Sequence, residues 1–219
     1  MKSMQRAIEK FIKTKDHGLC LIDMPTGSGK TYLTGKIIGE FIRGEILKDV
    51  KTIVYLTPQK KNIDDIFNDV KRDFAEDLSL FDANVLRIYA NYESVLDKFS
   101  EIYCKIPCVI QNRQSCKELK KQIELYKDLS DRNIPKDISD GALSEIRKHY
   151  EVAFRKDLSE ELSKIAKNKR EKKAKLNSDE YSWIKELYPA CLTEDRKVLF
   201  MTVDKFVSGN DPIISKPYR

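Results

Sequence analysis

The stretch "LIDMPTGSGKTYLTGK" (residues 21–36) passes from an apolar run into a Gly/Ser-rich turn and then into apolar residues at helical spacing. A strand, a turn of this kind and a helix that opens with Lys-Thr make the arrangement of a phosphate-binding loop. Gly27 and Gly29 let the backbone curl so that successive amides point at phosphate oxygens, and the helix dipole adds to the attraction. The stretch therefore predicts a nucleotide-binding turn.

Two side chains of this turn are suited to ATP and its metal ion. Lys30 is placed to reach the β- and γ-phosphates, and the hydroxyl of Thr31 to coordinate Mg²⁺. One position departs from the strict pattern, because Met24 stands where a glycine is expected. The alternative interpretation is a glycine-rich turn that only changes the direction of the chain.

The composition limits the classes of protein that fit. The chain has 219 residues, 41% of them hydrophobic and 35% charged, with a formal net charge of +6. This length suits one large domain or one domain that carries an insertion, and the charge permits a polyanionic partner. No apolar run is long enough to predict a membrane span, and the N-terminus does not resemble a signal peptide, so we expect a cytoplasmic protein without a membrane partner.

Strand and helix patterns alternate through the first half of the sequence. Such alternation predicts an α/β domain with a parallel sheet that is covered by helices on both faces. The predicted elements are a strand at about Leu19–Asp23, a helix from Lys30 to about Gly44, a strand in "KTIVYLTP", a helix at Asn62–Phe74, a strand at 84–90 and a helix through Ile102.

From about residue 113 to 186 the pattern changes. Apolar residues from Leu143 to Ile165 are spaced by threes and fours, which predicts an amphipathic helix, and the basic segment 164–175 is expected to continue it. We interpret residues 113–186 as a helical insertion in the α/β domain. The segment "KVLFMTVDKF" (197–206) then restores a strand pattern.

The motif "MPTGSGKT" resembles motif I of superfamily 2 helicases, in particular the helicase/UvrB N-terminal group that includes the Res subunits of type III restriction enzymes. The resemblance implies a RecA-like fold over residues 1–219. It also implies that Gln5, in "MQRAIEKF", contacts the adenine; the alternative is a surface glutamine on an amphipathic helix. The loop residues implied to bind the nucleotide are Pro25, Thr26, Gly27, Ser28, Gly29, Lys30 and Thr31.

Two further segments resemble helicase motifs. "IVYLTPQKKNIDDI" is similar to motif Ia, where Thr57, Lys60 and Lys61 would contact a nucleic-acid backbone without reading its sequence. "VLFMTVDKFVSG" is similar to the strand of motif Ib, which implies the same role for Thr202. The alternatives are an ordinary strand end with solvated lysines and, for the second segment, a Walker B strand in which Asp204 holds Mg²⁺.

The Asp-Glu motif of these helicases would follow the motif Ib strand by a couple of dozen residues, beyond Arg219. The pair Asp179-Glu180 follows a lysine-rich segment instead of an apolar strand, so we expect it to lie in the insertion. The sequence thus resembles the N-terminal part of a helicase truncated before motif II, with a second RecA-like domain missing in cis.

The cysteines raise a separate hypothesis. Cys104, Cys108 and Cys116 cluster, and Cys191 lies further on. Some superfamily 2 helicases carry a four-cysteine iron–sulfur cluster between motifs I and II, although ligation needs four thiolates that converge on one point. The alternative is a set of small core residues.

These observations together favour the ATP-binding motor part of a superfamily 2 DNA helicase or translocase, with ATP and Mg²⁺ as cofactors and DNA, or alternatively RNA, as partner. Two other classes stay open. One is a non-hydrolysing nucleotide- or nucleic-acid-binding fragment. The other is a P-loop ATPase of a different class that uses Asp204 as its Walker B residue.

Overall fold

The structure is a computed structural model that describes residues 6–8, 10, 11, 27, 29–132 and 135–208. The predicted strand at 19–23 lies outside these residues. The chain divides into two compact units, which we treat separately. The sheet unit comprises the residues up to Ile88 together with Glu194–Val207, and the helical unit comprises Tyr89–Thr193.

The regular elements of the described residues follow one another along the chain, with two 3₁₀ segments and one π segment among the helices. In chain order they are α1 (Lys30–Ile42), β1 (Ile53–Thr57), α2 (Lys60–Arg72), α3 (Leu78–Asn84), β2 (Val85–Arg87), α4 (Asn91–Ile102), a 3₁₀ segment (Tyr103–Lys105), α5 (Cys108–Gln111), α6 (Gln114–Asp131), α7 (Lys136–Glu145), a π segment (Ile146–Tyr150), α8 (Glu151–Ile165), α9 (Lys169–Leu176), α10 (Trp183–Leu187), a 3₁₀ segment (Pro189–Asp195), β3 (Val198–Thr202) and α11 (Val203–Ser208).

The three described strands form one parallel sheet in the order β1-β3-β2. The last strand in sequence therefore lies in the middle, with Val198 opposite both Ile53 and Val85. Four of the five residues of β3 are buried, as expected of a central strand covered on both faces. The prediction of a parallel sheet is confirmed.

The helices of the sheet unit pack their apolar faces together with the sheet. All five apolar positions of α1 that the sequence marked are buried: Leu33, Ile37, Ile38, Phe41 and Ile42. Helix α1 ends just before Gly44, whose φ of +75° is the left-handed conformation that ends many helices. Phenylalanine rings fill the centre, and Phe67 contacts both Phe81 and Phe200 edge to face.

Two predicted strands are shorter than expected. Residues 78–84 form helix α3, which the sequence analysis missed, because the Asp77 side chain accepts a hydrogen bond from the amide of Leu80 and caps the helix. The strand that follows covers Val85–Arg87. Similarly, β3 ends at Thr202, whose hydroxyl accepts a hydrogen bond from the amide of Lys205, and Val203–Ser208 form helix α11.

The helical unit has a core of its own. Phe99 of α4 contacts Phe154 of α8 there, and Trp183 of α10, which is 1% exposed, belongs to the same cluster of buried residues. Glu151 is also buried, and its carboxylate accepts a hydrogen bond from Arg155. Burial, together with the nearby charge of Glu151, raises the pKa of Tyr188 well above its ordinary value.

The helical region differs in three respects from the prediction. Within the described residues it starts at Asn91, well before residue 113. The amphipathic helix starts at Lys136, just after Pro135, and contains the π segment. The basic segment does not continue this helix, because Ala166 is extended and buried and a new helix, α9, begins at Lys169. That this region is an insertion into a RecA-like domain stays a prediction.

Candidate functional site

The glycine-rich turn has the backbone conformation that its sequence predicts. Gly27 and Gly29 have φ of +80° and +79°, a region that residues with a side chain rarely adopt. A Cβ atom added at either position would meet no atom of the described structure within 4 Å. Glycine is thus required here by the backbone conformation and not by a lack of space.

Helix α1 starts directly at this turn and is open to an anion. Gly29 is the N-cap residue, so no side chain caps the helix, and its first turn holds no acidic residue. Lys30 and Thr31 are the first two residues of α1, and both are exposed. A helix N-terminus with a lysine and a hydroxyl beside it provides amides, positive charge and a metal-coordinating oxygen, which fits a Mg-nucleotide.

Several residues predicted to bind the nucleotide lie outside the described residues. These are Gln5, Pro25, Thr26 and Ser28. The residues around Gln5 that are described, 6–8, 10 and 11, are helical, which agrees with the predicted N-terminal helix. The role of Gln5 in adenine contact stays a prediction.

The two threonines assigned to a nucleic-acid backbone lie side by side. Thr57 ends β1, Thr202 ends β3, and the two residues are directly paired in the parallel register. Neighbouring strands are about 4.8 Å apart, so both side chains belong to the carboxyl edge of the sheet, where ligands bind in open α/β sheets. Sequence alone did not predict this pairing, because 144 residues separate the two.

Lys60 and Lys61 follow the same edge. They are the first two residues of α2, both are exposed, and Gln59 before them is extended and makes no side-chain cap. Thr57 is 7% exposed, whereas Thr202 is partly exposed and already accepts the capping hydrogen bond from Lys205. A threonine hydroxyl that accepts one bond still has its proton to donate to a phosphate oxygen.

One exposed aromatic residue beside the turn was missed by the sequence analysis. Tyr32, directly after Thr31, is 68% exposed. The sequence could have indicated this exposure, because the large aromatic residue next to Leu33 lies outside the apolar face of α1. Its position makes it a further candidate for contact with a bound nucleotide.

The segment that contains the glycine turn also matches a known protein family. The family model described as "Type III restriction enzyme, res subunit" matches residues 1–132. The chain belongs to this family. It is a superfamily 2 helicase N-terminal domain family, which implies a RecA-like, ATP-binding motor domain and the use of nucleotide and nucleic acid. No curated protein matches the sequence.

The match to the Res family covers α1, β1, α2 and the glycine turn, and ends just after α6. Helices α7 to α11 and strand β3 lie beyond it. No helix in the described ranges is both long and apolar enough to cross a membrane.

The acidic residues considered for a Walker B motif lie in different parts of the chain. Asp204 is exposed in the first turn of α11, two residues after β3 ends, which places it at the same edge as Thr202. Asp179 and Glu180 lie in an exposed turn of the helical unit, where the carbonyl oxygen of Glu180 accepts a hydrogen bond from the indole of Trp183. The latter pair does not follow a strand, so it lacks the setting of a Walker B motif.

The four described cysteines divide into two kinds. Cys104 and Cys108 are exposed, Cys116 and Cys191 are buried, and none of them forms a disulfide. No three His, Cys, Asp or Glu side chains of the described residues are grouped in a way that could hold a metal ion. Burial raises the pKa of Cys116 to about 11, which keeps its thiol protonated and poorly nucleophilic.

We predict that alkylation with iodoacetamide near neutral pH labels Cys104 and Cys108 in the native chain and leaves Cys116 and Cys191 unlabelled until the chain is unfolded. Peptide mass spectrometry measures each site, with the denatured chain as control. Rapid labelling of native Cys116 at neutral pH would show that α6 is not packed as described.

The same thiol makes stability depend on pH. Because the folded pKa of Cys116 lies above the unfolded value of 9.0, its contribution to stability is complete below pH 9 and is lost as the pH rises toward 11.

Proposed function

We propose that this chain is the ATP-binding part of a superfamily 2 DNA helicase or translocase, which in the complete protein couples ATP hydrolysis to movement on nucleic acid. The observation that carries the proposal is the uncapped start of α1. There, two left-handed glycines lead directly into exposed Lys30 and Thr31 in a chain of the Res family.

Each residue of this turn has a distinct task in the proposal. The amides at the start of α1 bind phosphate oxygens, Lys30 neutralises the charge of the β- and γ-phosphates, and Thr31 holds the metal ion. When bound, Mg²⁺ would supply positive charge that offsets the negative charge of the phosphates. Gln5 contacts the adenine, and the loop residues Pro25, Thr26 and Ser28 surround the phosphates.

The carboxyl edge of the sheet is the proposed path of the nucleic acid. Thr57 and Thr202 are adjacent there, and Lys60 and Lys61 begin the helix that follows. Hydroxyl and ammonium donors bind phosphates without distinguishing bases, as a motor that moves along any sequence requires. DNA is the proposed strand, with RNA as the alternative.

The proposal is tested by measuring Mg-ATP binding and steady-state ATP hydrolysis on the purified 219-residue chain, with and without single-stranded DNA. We expect saturable binding that requires the divalent ion. Because a second RecA-like domain and an Asp-Glu motif are not recognisable in this sequence, we expect little turnover by the chain alone.

The possible outcomes separate the motor part from an ATPase of another class. Binding without turnover is the result expected of the motor part, and a non-hydrolysing binding fragment would give the same result. DNA-independent turnover that is lost in Asp204→Asn favours an ATPase of another class. Absence of Mg-ATP binding by the folded chain contradicts the proposal.

A further inference from the structure

The positive charge of the chain is concentrated in one segment. Residues 164–175 contain seven of the 41 basic residues and one of the 35 acidic residues, which leaves 34 of each sign elsewhere. The segment thus carries a formal +6, equal to the net charge of the whole chain, and the rest is formally neutral. An excess localised in this way is the electrostatic pattern of a polyanion-binding surface.

Most of this charge lies on one helix, because α9 (Lys169–Leu176) contains five of the seven basic residues of the segment. Helix α9 is fixed at both sides, because Ala166 before it is 2% exposed and Leu176 at its end is 1% exposed within the core of the helical unit. Its start is closed by a reciprocal cap between Asn168 and Glu171: the amide of Glu171 donates to the Asn168 side chain, and the Asn168 side-chain amide donates to the Glu171 carboxylate. The exposed side chains of Arg170 and Lys175 therefore project from a defined scaffold.

Two acidic groups near α9, Glu171 and Glu161, are already engaged. Glu171, the acidic residue within the segment, also accepts the amide of Lys167 and so is held at the start of the helix. Glu161 is shared between Arg113 and Lys164. Lys167, Arg170 and Lys175 are exposed, and no described carboxylate forms an ion pair with them.

We infer that α9 binds the phosphate backbone of a nucleic-acid strand. Lysine and arginine side chains on one short helix provide charge at several successive points, which suits a repeating row of phosphates more than a single anionic ligand. Without aromatic residues in the segment, no stacking platform accompanies the charge, so the contact is independent of base sequence. The inference deepens the proposed function, since it assigns a second backbone contact for the same partner outside the segment that matches the Res family.

The test is the triple variant Lys167→Gln, Arg170→Gln, Lys175→Gln, measured by fluorescence anisotropy with a labelled single-stranded DNA and with RNA of the same sequence, in the absence of nucleotide. We expect affinity to fall about tenfold or more, and the slope of log affinity against log salt to fall by about 2, because each phosphate contact contributes about 0.7. The change is expected to be the same for oligonucleotides of different base composition.

The matched control is Lys117→Gln, Lys121→Gln, Lys148→Gln, which removes three exposed lysines from other parts of the same unit. It changes the net charge equally and is expected to affect binding much less. An equal loss in both triple variants, or no loss in the α9 variant, overturns the inference. So does a loss of binding to vesicles of anionic phospholipid with nucleic-acid affinity unchanged. The result is separable from the proposed function, because it is measured without ATP and with Lys30 intact.

Discussion

Replacing Lys30 by alanine is expected to lower the affinity for Mg-ATP by about a hundredfold or more, which corresponds to about 2.8 kcal/mol. Lys30 is the first residue of α1 and is exposed, and it belongs to neither hydrophobic cluster. The substitution removes the point charge that is proposed to bind the β- and γ-phosphates, while it leaves the glycine turn and the helix amides in place. Calorimetric titration measures the affinity, and circular dichroism verifies the fold.

The control for this experiment lies on the same helix. Lys36 has a half-exposed side chain and lies 3.7 Å from the carboxylate of Glu40, a surface ion pair of small energetic value. Lys36→Ala is therefore expected to bind Mg-ATP like the unaltered chain. A folded Lys30→Ala chain with unchanged ATP affinity would refute the phosphate role of Lys30.

Replacing Phe200 by alanine is expected to lower the free energy of unfolding of the sheet unit by about 3–5 kcal/mol. Phe200 is fully buried in the central strand, with its ring centroid 5.5 Å from that of Tyr55 and 5.6 Å from that of Phe67. Alanine would leave a cavity between the sheet and α2. The midpoint of the far-UV circular dichroism transition in urea measures the change.

Two other variants serve as controls for the stability change of Phe200→Ala. Phe200→Leu keeps most of the apolar volume and is expected to cost about 1.5 kcal/mol or less. Val207→Ala, at a position that is 70% exposed, is expected to change stability by about 0.5 kcal/mol at most. If Phe200→Ala were no more destabilising than Val207→Ala, Phe200 would not lie in the core and the central position of β3 would be wrong.

Local patterns predicted α1 and β1 well. Helix α1 follows from the spacing of apolar residues between Leu33 and Ile42, and β1 from the β-branched run that stops at Pro58. The glycine turn was also predictable, because few residues other than glycine adopt the positive φ found at positions 27 and 29.

Features that depend on single side chains or distant contacts were harder to predict. Asp77 and Thr202 each accept a hydrogen bond at the start of a helix that the sequence analysis missed, and the helix after Thr202 falls within a segment predicted as strand. The break before α9 was missed because the lysine-rich segment has high helix propensity, while burial of Ala166 in an extended conformation ends the preceding helix. The pairing of Thr57 with Thr202 depends on strand order, which no local pattern encodes.

The central position of β3 also affects how the chain folds during its synthesis. β1 and β2 leave the ribosome early, yet the strand that joins them is made only after the whole helical unit. At about 5–20 residues per second, the roughly 110 residues between β2 and β3 delay closure of the sheet by several seconds. Until then β1 and β2 each have an unpaired edge, which makes the nascent sheet unit prone to aggregation and a substrate for chaperones, whereas the helical unit can form its contacts first.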